Sequence, residues 1–101
     1  MRFWTVDYDE RVRHEIASAR TSGLLSDDDL KFLKRWVWEV ESKGLRAAQE
    51  NKNWCDHELL RGNWKGYRAI SFSYSGRLIY RTEKSRLVVL VVRVTPEHNY
   101  L

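Results

Sequence analysis

The spacing of hydrophobic residues predicts a short strand and two helices in the first half of the chain. Residues 2–6, RFWTV, are typical of a strand, and apolar residues recur at helical spacing over about Tyr8–Arg20. A second helix is expected over about Ser26–Lys43, because a serine followed by three aspartates suits the free N–H groups and the dipole of a helix N-terminus. Gly44 is the predicted stop.

Alternating apolar and polar residues predict three strands in the second half, at about Tyr67–Ser75, Arg77–Glu83 and Arg86–Thr95. Residues 45–64 show neither period and are expected to form an irregular connection. The short links SG and EKS favour antiparallel hairpins. The order β-α-α-β-β-β predicts an α+β fold with two helices packed on one face of a small twisted, mainly antiparallel sheet. A length of 101 residues suits a single domain over residues 1–101.

The charge of the chain is concentrated in its second half. Residues 1–50 hold nine Lys/Arg and ten Asp/Glu, whereas residues 51–101 hold nine and four. Basic surface attracts phosphate, so nucleic acid is the leading class of partner, although a solvated cationic surface without a ligand explains the same charge. No apolar run approaches the roughly 20 residues of a membrane span. A charged N-terminus without a signal-peptide core and a lone cysteine, Cys55, favour the cytoplasm.

The predicted strands also place arginines away from the apolar positions. Side chains alternate between the two faces of a strand, so Arg77 and Arg81 share one face, and Arg93 lies opposite Val92 and Val94. In a suitable register the three arginines form one cationic patch, and the serines of the first predicted strand leave room for a substrate. The alternative is an ordinary solvent-facing side, where arginine stems cover apolar neighbours.

Two histidines flank this arginine patch along the chain. His57 precedes the first of the three strands, together with Lys65, and His98 follows the last. We expect the start of the first strand and the end of the last to lie toward the same end of the sheet, so that the two histidines approach each other. For each histidine, an ordinary surface position is the alternative.

The segment DHELLRGNWKGYRAISFSYSGRLIYRTEKSRLVVLVVRVTPEHNYL resembles the RelE/ParE toxin superfamily of bacterial type II toxin–antitoxin modules. The features that carry the resemblance are the pattern D-H-x-L-x-x-G-x-W-x-G-Y-R, the strand GRLIYR, and a hydrophobic strand that ends in H-x-Y. The YafQ- and YoeB-like branches, which cleave mRNA on the ribosome, are the most similar. Over residues 1–50, the agreement is mainly in the arrangement of the first strand and the two helices.

The resemblance implies a toxin that is a ribosome-dependent, metal-independent endoribonuclease. Such a protein cleaves mRNA in the ribosomal A site, inhibits translation, and is neutralised by a cognate antitoxin with which it forms a hetero-oligomer. We expect no cofactor and no metal site, since one cysteine and three scattered histidines do not make a tetrahedral set. One alternative is a ParE-like gyrase poison that binds without cleaving RNA. Another is a binding or regulatory protein that is inactive by itself.

The resemblance further implies roles for individual residues. His57 and His98 match histidines of the family and are assigned as base and acid, and the reverse assignment stays open. Arg77 and Arg93 match family arginines and are expected to hold the phosphate. As a departure from the family, Ser71 stands where YafQ-like members carry another histidine, and those members carry an acidic residue near Ser75. The residues expected to bind RNA, two of them by stacking on a base, are Lys65, Arg81, Trp64 and Tyr100.

A second apolar stripe on the second helix gives a candidate surface for the antitoxin. Phe32 and Trp36 lie four residues apart, beside the stripe expected to face the core. A wide core contact is the alternative explanation for both residues. Under the functional interpretation they form a hydrophobic dock for the antitoxin.

Overall fold

The computed structural model describes residues 3–97 of the chain. Its α-helices and strands, in chain order, are β1 (Thr5–Tyr8), α1 (Glu10–Thr21), α2 (Asp27–Lys43), α3 (Leu45–Glu50), β2 (His57–Glu58), β3 (Arg68–Ser71), β4 (Arg77–Glu83) and β5 (Val88–Thr95). The predicted α+β class and the order β-α-α-β-β-β are confirmed. The connection predicted to be irregular contains α3, β2 and two single turns of 3-10 helix, Lys52–Trp54 and Gly62–Trp64. The strand predicted to extend to Ser75 ends at Ser71.

The start and end of α2 follow the sequence signals. Ser26 Oγ accepts a hydrogen bond from the Asp29 backbone N–H at 3.0 Å, and Asp29 Oδ2 accepts one from the Ser26 N–H at 3.1 Å. Each side chain therefore satisfies a backbone donor that the helix itself leaves unpaired. At the other end Gly44 takes a φ of 93°, and its N–H donates to Val40 O at 3.0 Å.

Replacing Ser26 with alanine tests the contribution of this cap. The substitution removes the acceptor of the Asp29 N–H, and we expect it to lower the free energy of unfolding by about 1 kcal/mol. For a domain of this size that is a fall of about 4–8 °C in Tm, measured by circular dichroism. Ser18→Ala, at an exposed position of α1, is the matched control and should leave Tm unchanged or raise it slightly, because alanine favours a helix more than serine does. Equal Tm values for the two variants would rule out a capping contribution.

The five strands form one mixed sheet in the order β1-β5-β4-β3-β2. β1 pairs with β5 in parallel, and the other three pairs are antiparallel. The helices pack on one face, as predicted, and bury a core of apolar side chains from both layers. Its largest fully buried members are Val12, Trp36 and Val40 from the helices and Ile70, Leu78, Tyr80, Val89, Val91 and Val94 from the strands. Among residues 3–97, no helix is long and apolar enough to cross a membrane.

A β-bulge in β5 changes which side chains face the helices. Ile79 pairs with Arg93 and Tyr80 pairs with Val91, so Val92 is an extra residue between two regular stretches of pairing. Simple alternation, as used in the sequence analysis, puts Val91 and Val94 on opposite faces. The bulge instead lets both reach the core, and that part of the predicted pattern was wrong.

Candidate functional site

The register of the sheet aligns His57 and Arg93 across four strands. His57 pairs with Ala69, Ala69 pairs with Ile79, and Ile79 pairs with Arg93. Directly paired residues project from the same face, and neighbouring strands lie about 4.8 Å apart, so this row is about 14 Å wide. The face on which it lies is the one turned away from the core of α1 and α2. We call it the open face, and its members are His57, Ala69, Ser71, Arg77, Ile79, Arg81, Leu90, Val92, Arg93 and Thr95. The centre of the row is not exposed, because Ala69 and Ile79 are fully buried in a second apolar cluster with Leu59, against which Trp64, Tyr67 and Val92 pack.

Two further rows complete the open face. Ser71 pairs with Arg77 and Arg77 with Thr95, one step along the strands from the row of His57. Arg81 pairs with Leu90 one step in the other direction. The register thus places the three arginines predicted to share a face on the same face, and it brings His57 to that face as well.

Each of these arginines has a partner within the chain. Arg77 Nη1 donates to Gly76 O at 2.8 Å and lies 3.3 Å from two further carbonyl oxygens of the β3–β4 turn. Arg81 Nη2 lies 3.2 Å from a carboxylate oxygen of Glu83. Among residues 3–97, the partners of the Arg77 guanidinium are neutral carbonyl groups and not carboxylates, so its positive charge stays available to a phosphate.

Arg93 is paired with α1. Its Nε lies 2.7 Å from Glu15 Oε2, although Nε is not directed at that oxygen as in a hydrogen bond. The other oxygen, Oε1, accepts the Val94 backbone N–H at 3.2 Å. Glu15 therefore occupies the edge of β5 beyond the end of β1. A phosphate that binds Arg93 has to compete with this carboxylate.

His57 is exposed, and within residues 3–97 its ring makes one hydrogen bond, to a backbone carbonyl. Nδ1 lies 2.8 Å from Cys55 O. A carbonyl oxygen only accepts hydrogen bonds, so Nδ1 carries the proton of the neutral ring and Nε2 carries the lone pair. This is the tautomer in which Nε2 can take a proton from a substrate. Cys55 directs its carbonyl with a backbone φ of 52°, a left-handed conformation that is uncommon for a residue other than glycine.

The predicted meeting of strand ends was wrong. The start of β3, Arg68, lies beside Tyr80, whereas the end of β5, Thr95, lies beside Arg77, three residues away along β4. In a three-stranded antiparallel meander, the start of the first strand and the end of the last strand lie at opposite ends of the sheet. His57 lies on β2, an additional strand at the edge of the sheet. His98 and Tyr100, the predicted acid and a predicted stacking residue, lie outside the described residues.

Aromatic residues of the β2–β3 loop border one end of the open face. The rings of Trp64 and Tyr67 meet edge to face with centroids 5.3 Å apart. Arg81 lines the same cavity of about 300 Å³, whereas Lys65 is exposed at the next position of the loop. The structure therefore brings together two of the residues predicted to bind RNA, an aromatic ring and a guanidinium. The other residues that line this cavity are Asp9, Arg11, Leu90 and Val92.

The two residues predicted to meet an antitoxin differ in exposure. Trp36 is 0% exposed, and the centroid of its ring lies 5.5 Å from that of Tyr80. Its side chain is therefore not available to a partner, and we withdraw that prediction. Phe32 is half-buried and packs edge to face on Trp54 at 4.8 Å. Trp38, which the sequence analysis did not assign, is 60% exposed and lines a cavity together with Phe32.

The sequence analysis missed a buried polar network next to His57. The side chain of Asp56 is 0% exposed. Its Oδ1 accepts from Arg68 Nε at 2.6 Å, and its Oδ2 accepts from the Tyr80 hydroxyl, which also accepts from Gln49 Nε2 at 3.1 Å. Asp56 stands in the D-H pattern, but neither composition nor periodicity indicates that its carboxylate is buried.

This network predicts a loss of stability at alkaline pH. Burial, followed by the charge of Asp56, raises the pKa of Tyr80 well above its ordinary value. An unfolded tyrosine ionises near pH 10, while the folded one keeps its proton, so the stability that Tyr80 contributes below pH 10 is lost as the pH rises further. Urea unfolding from pH 8 to pH 11 should show a shallower decline for Tyr80→Phe than for the wild type. An equal decline of the free energy of unfolding with pH in both proteins would contradict this role of Tyr80.

Within residues 3–97, no group of three or more His, Cys, Asp or Glu side chains is arranged to hold a metal ion.

Comparison with known proteins points to one group of folds. No family model and no curated protein matches the chain. Among solved structures, the E. coli DinJ–YafQ toxin–antitoxin complex contains a chain that aligns with a TM-score of 0.72 at 21% identity, over 97% of this chain and 96% of that one. This chain has the fold of the RelE/ParE-type toxins. The resemblance identified from the sequence is confirmed at the level of the fold.

Two further structures extend the RelE/ParE-type comparison to other bacteria. A metal-bound toxin from Helicobacter pylori aligns with a TM-score of 0.73 at 20% identity, over 97% of this chain and 98% of that one. The RelBE2 toxin–antitoxin complex from Mycobacterium tuberculosis aligns with a TM-score of 0.61 at 18% identity, over 91% and 95%. The similarity therefore spans nearly the whole chain in each case.

Proposed function

We propose that this protein is the toxin of a bacterial type II toxin–antitoxin module and acts in the cytoplasm as an endoribonuclease on ribosome-bound mRNA. The observation that carries the proposal is the row His57–Ala69–Ile79–Arg93, because it puts the His57 imidazole on the same face as Arg77 and Arg81. The fold shared with toxins of toxin–antitoxin complexes supports the same assignment.

The proposed reaction uses the 2′-hydroxyl of the RNA as nucleophile. His57 Nε2 takes its proton while the oxygen attacks the adjacent phosphorus, and the bond to the 5′-oxygen breaks to leave a 2′,3′-cyclic phosphate. His98 is the proposed acid that protonates the 5′-oxygen. Arg77 and Arg93 are the proposed partners of the phosphate oxygens, whose negative charge grows in the transition state. The acid, the base and the charge are all supplied by side chains, and no metal or cofactor takes part.

Binding of the RNA is assigned to the end of the open face near the β2–β3 loop. Trp64 offers a ring edge or face to a base, and Arg81 and Lys65 offer positive charge to the backbone. Arg81 is ion-paired with Glu83, so RNA has to displace that carboxylate or share the guanidinium. Tyr100 is a further proposed stacking residue.

A cognate antitoxin is the proposed protein partner. Complexes of the neighbours DinJ–YafQ and RelBE2 contain an antitoxin. Phe32 is the remaining candidate contact from the sequence analysis, and the exposed Trp38 lines the same cavity. An antitoxin that covers the open face would in addition neutralise its arginines.

Transcript mapping in cells tests the proposal. The chain is induced briefly without antitoxin, and mRNA 5′ ends are mapped for the wild type, for His57→Gln and for His14→Gln, an exposed histidine of α1 that serves as control. We expect discrete cuts within translated frames for the wild type and the control, and their loss in His57→Gln. Growth arrest with intact transcripts would overturn the nuclease and favour the gyrase poison, which a parallel assay of plasmid supercoiling detects.

A further inference from the structure

The carboxylate of Asp56 is the most deeply buried charge in contact with the candidate site. Its side chain is completely buried, and both of its oxygens are hydrogen-bonded, one to Arg68 and the other to Tyr80. An ionised carboxylate is retained in the interior only where such partners offset the loss of water. Asp56 itself faces away from solvent and cannot meet an RNA substrate, so its role has to be exerted through its neighbours.

The hydrogen bonds of Asp56 connect the short segment of residues 55–58 to three other elements. Arg68 begins β3, Tyr80 lies within β4, and Gln49 of α3 donates to the Tyr80 hydroxyl at 3.1 Å. The segment lies between the buried residues Trp54 and Leu59. Within residues 55–58, only the Asp56 side chain is buried, because Cys55, His57 and Glu58 are exposed. A two-residue edge strand is weakly held by its ladder alone.

The segment also has to maintain an unfavourable backbone conformation. Cys55 takes a φ of 52°, and through it the Cys55 carbonyl points at His57 Nδ1. Left-handed backbone persists at a residue with a side chain only when surrounding contacts hold it there. Asp56 is the residue between the carbonyl and the imidazole, and it is the one whose side chain is anchored in the interior.

We propose that Asp56 is a positioning residue: its bonds to Arg68 and Tyr80 fix the backbone of residues 55–57 and thereby hold His57 with the proton on Nδ1 and the lone pair of Nε2 directed to the substrate. The orientation of His57 follows from the structure alone. Its use in catalysis rests on the proposed function.

The tautomer of His57 is the direct readout. Long-range ¹H–¹⁵N spectra of the imidazole, recorded at a pH at which the ring is neutral, report which nitrogen carries the proton. In the wild type we expect Nδ1–H to dominate at His57. In Asp56→Asn and in Tyr80→Phe the ratio should move toward Nε2–H by up to about tenfold, the change that accompanies loss of one hydrogen bond. His14, on α1, serves as an internal reference in the same spectra.

Two matched variants separate positioning from general effects of substitution. Asp7→Asn and Tyr74→Phe make the same chemical changes at exposed positions, and both should leave the His57 tautomer as in the wild type. Tyr80→Phe keeps the ring packing and the Arg68 contact, so it tests the proposal even where Asp56→Asn fails to fold. An unchanged His57 tautomer in folded Tyr80→Phe and Asp56→Asn would overturn the positioning role.

An RNA cleavage assay of the same variants distinguishes this inference from the proposed function. If the wild type cleaves, Asp56→Asn should lower kcat at least tenfold with little change in KM, since it disturbs the base and not the binding groups. Cleavage by folded Asp56→Asn at the wild-type rate would contradict positioning. Absence of cleavage by the wild type, together with a shifted tautomer in the variants, would instead reject the proposed function and leave the positioning of His57 intact.

Discussion

Replacing Trp36 with alanine is expected to lower the free energy of unfolding by about 3–5 kcal/mol. The side chain is 0% exposed, and its ring packs on that of Tyr80 in the centre of the contact between α2 and the sheet. Alanine removes the apolar area of the indole and leaves a cavity that the surrounding strands cannot fill without moving. Because a domain of this size has a total stability of about 5–15 kcal/mol, this is a large fraction of it.

Trp38→Ala is the matched control for this experiment. Trp38 lies on the same helix two positions away, but it is 60% exposed, with Lys43 Nζ 5.6 Å from its ring centroid. We expect a change of less than about 1 kcal/mol, since little apolar area leaves the interior. Urea unfolding followed by fluorescence measures both variants. Equal effects would contradict the packing of α2 described above.

Replacing Arg68 with glutamine is expected to cost about 3 kcal/mol of stability. Arg68 is 33% exposed, but its partner Asp56 is completely buried and loses the cation that offsets its charge. Breaking a buried pair from one side costs about 3–5 kcal/mol, and the partial exposure of Arg68 places the effect at the lower end of that range.

The pair Arg46–Glu50 provides the comparison for Arg68. Its atoms are 3.1 Å apart, but the Arg46 side chain is 92% exposed and lies one helical turn from its partner. Arg46→Gln should change the free energy of unfolding by no more than about 0.5 kcal/mol. Chemical denaturation of both variants gives the difference, and an effect of Arg68→Gln as small as that of Arg46→Gln would show that Asp56 does not need its partner.

The elements that the sequence predicts best are those with local signals. Ser26 and the three aspartates that follow it indicate the start of α2, and Gly44 indicates its end, because capping and left-handed backbone depend on a few adjacent residues. Arg77–Glu83 is likewise observed with its predicted bounds. The class of the fold follows from the order of such segments, which is why it was predictable.

Features that depend on pairing between distant segments were not predictable from the pattern. The bulge at Val92 reverses the alternation of β5, and it exists only in relation to β4. Trp36 and Trp38 lie about 200° apart around α2, and the packing of the helix on the sheet decides which of the two is buried. The burial of Asp56 depends on Arg68 and Tyr80, which are 12 and 24 residues away.

The sequence indicated the face that bears the arginines, but not how His57 comes to lie on it. The alternation of Arg77 and Arg81 indicated a cationic face, and the resemblance singled out His57. The path by which His57 reaches that face, through a two-residue strand that pairs with β3, has no signal in the hydrophobic pattern. A strand this short has no measurable period.

Cleavage of ribosome-bound mRNA by the purified chain tests the central claim most directly. Ribosomes programmed with a defined mRNA are incubated with the wild type, with His57→Gln and with His14→Gln, and the RNA ends are mapped with and without ribosomes. We expect the wild type and His14→Gln to cut the mRNA only when ribosomes are present and to leave 2′,3′-cyclic phosphate ends. For His57→Gln we expect the cleavage rate to fall by at least about 100-fold. Intact mRNA with the wild type, or wild-type cleavage by His57→Gln, would contradict it.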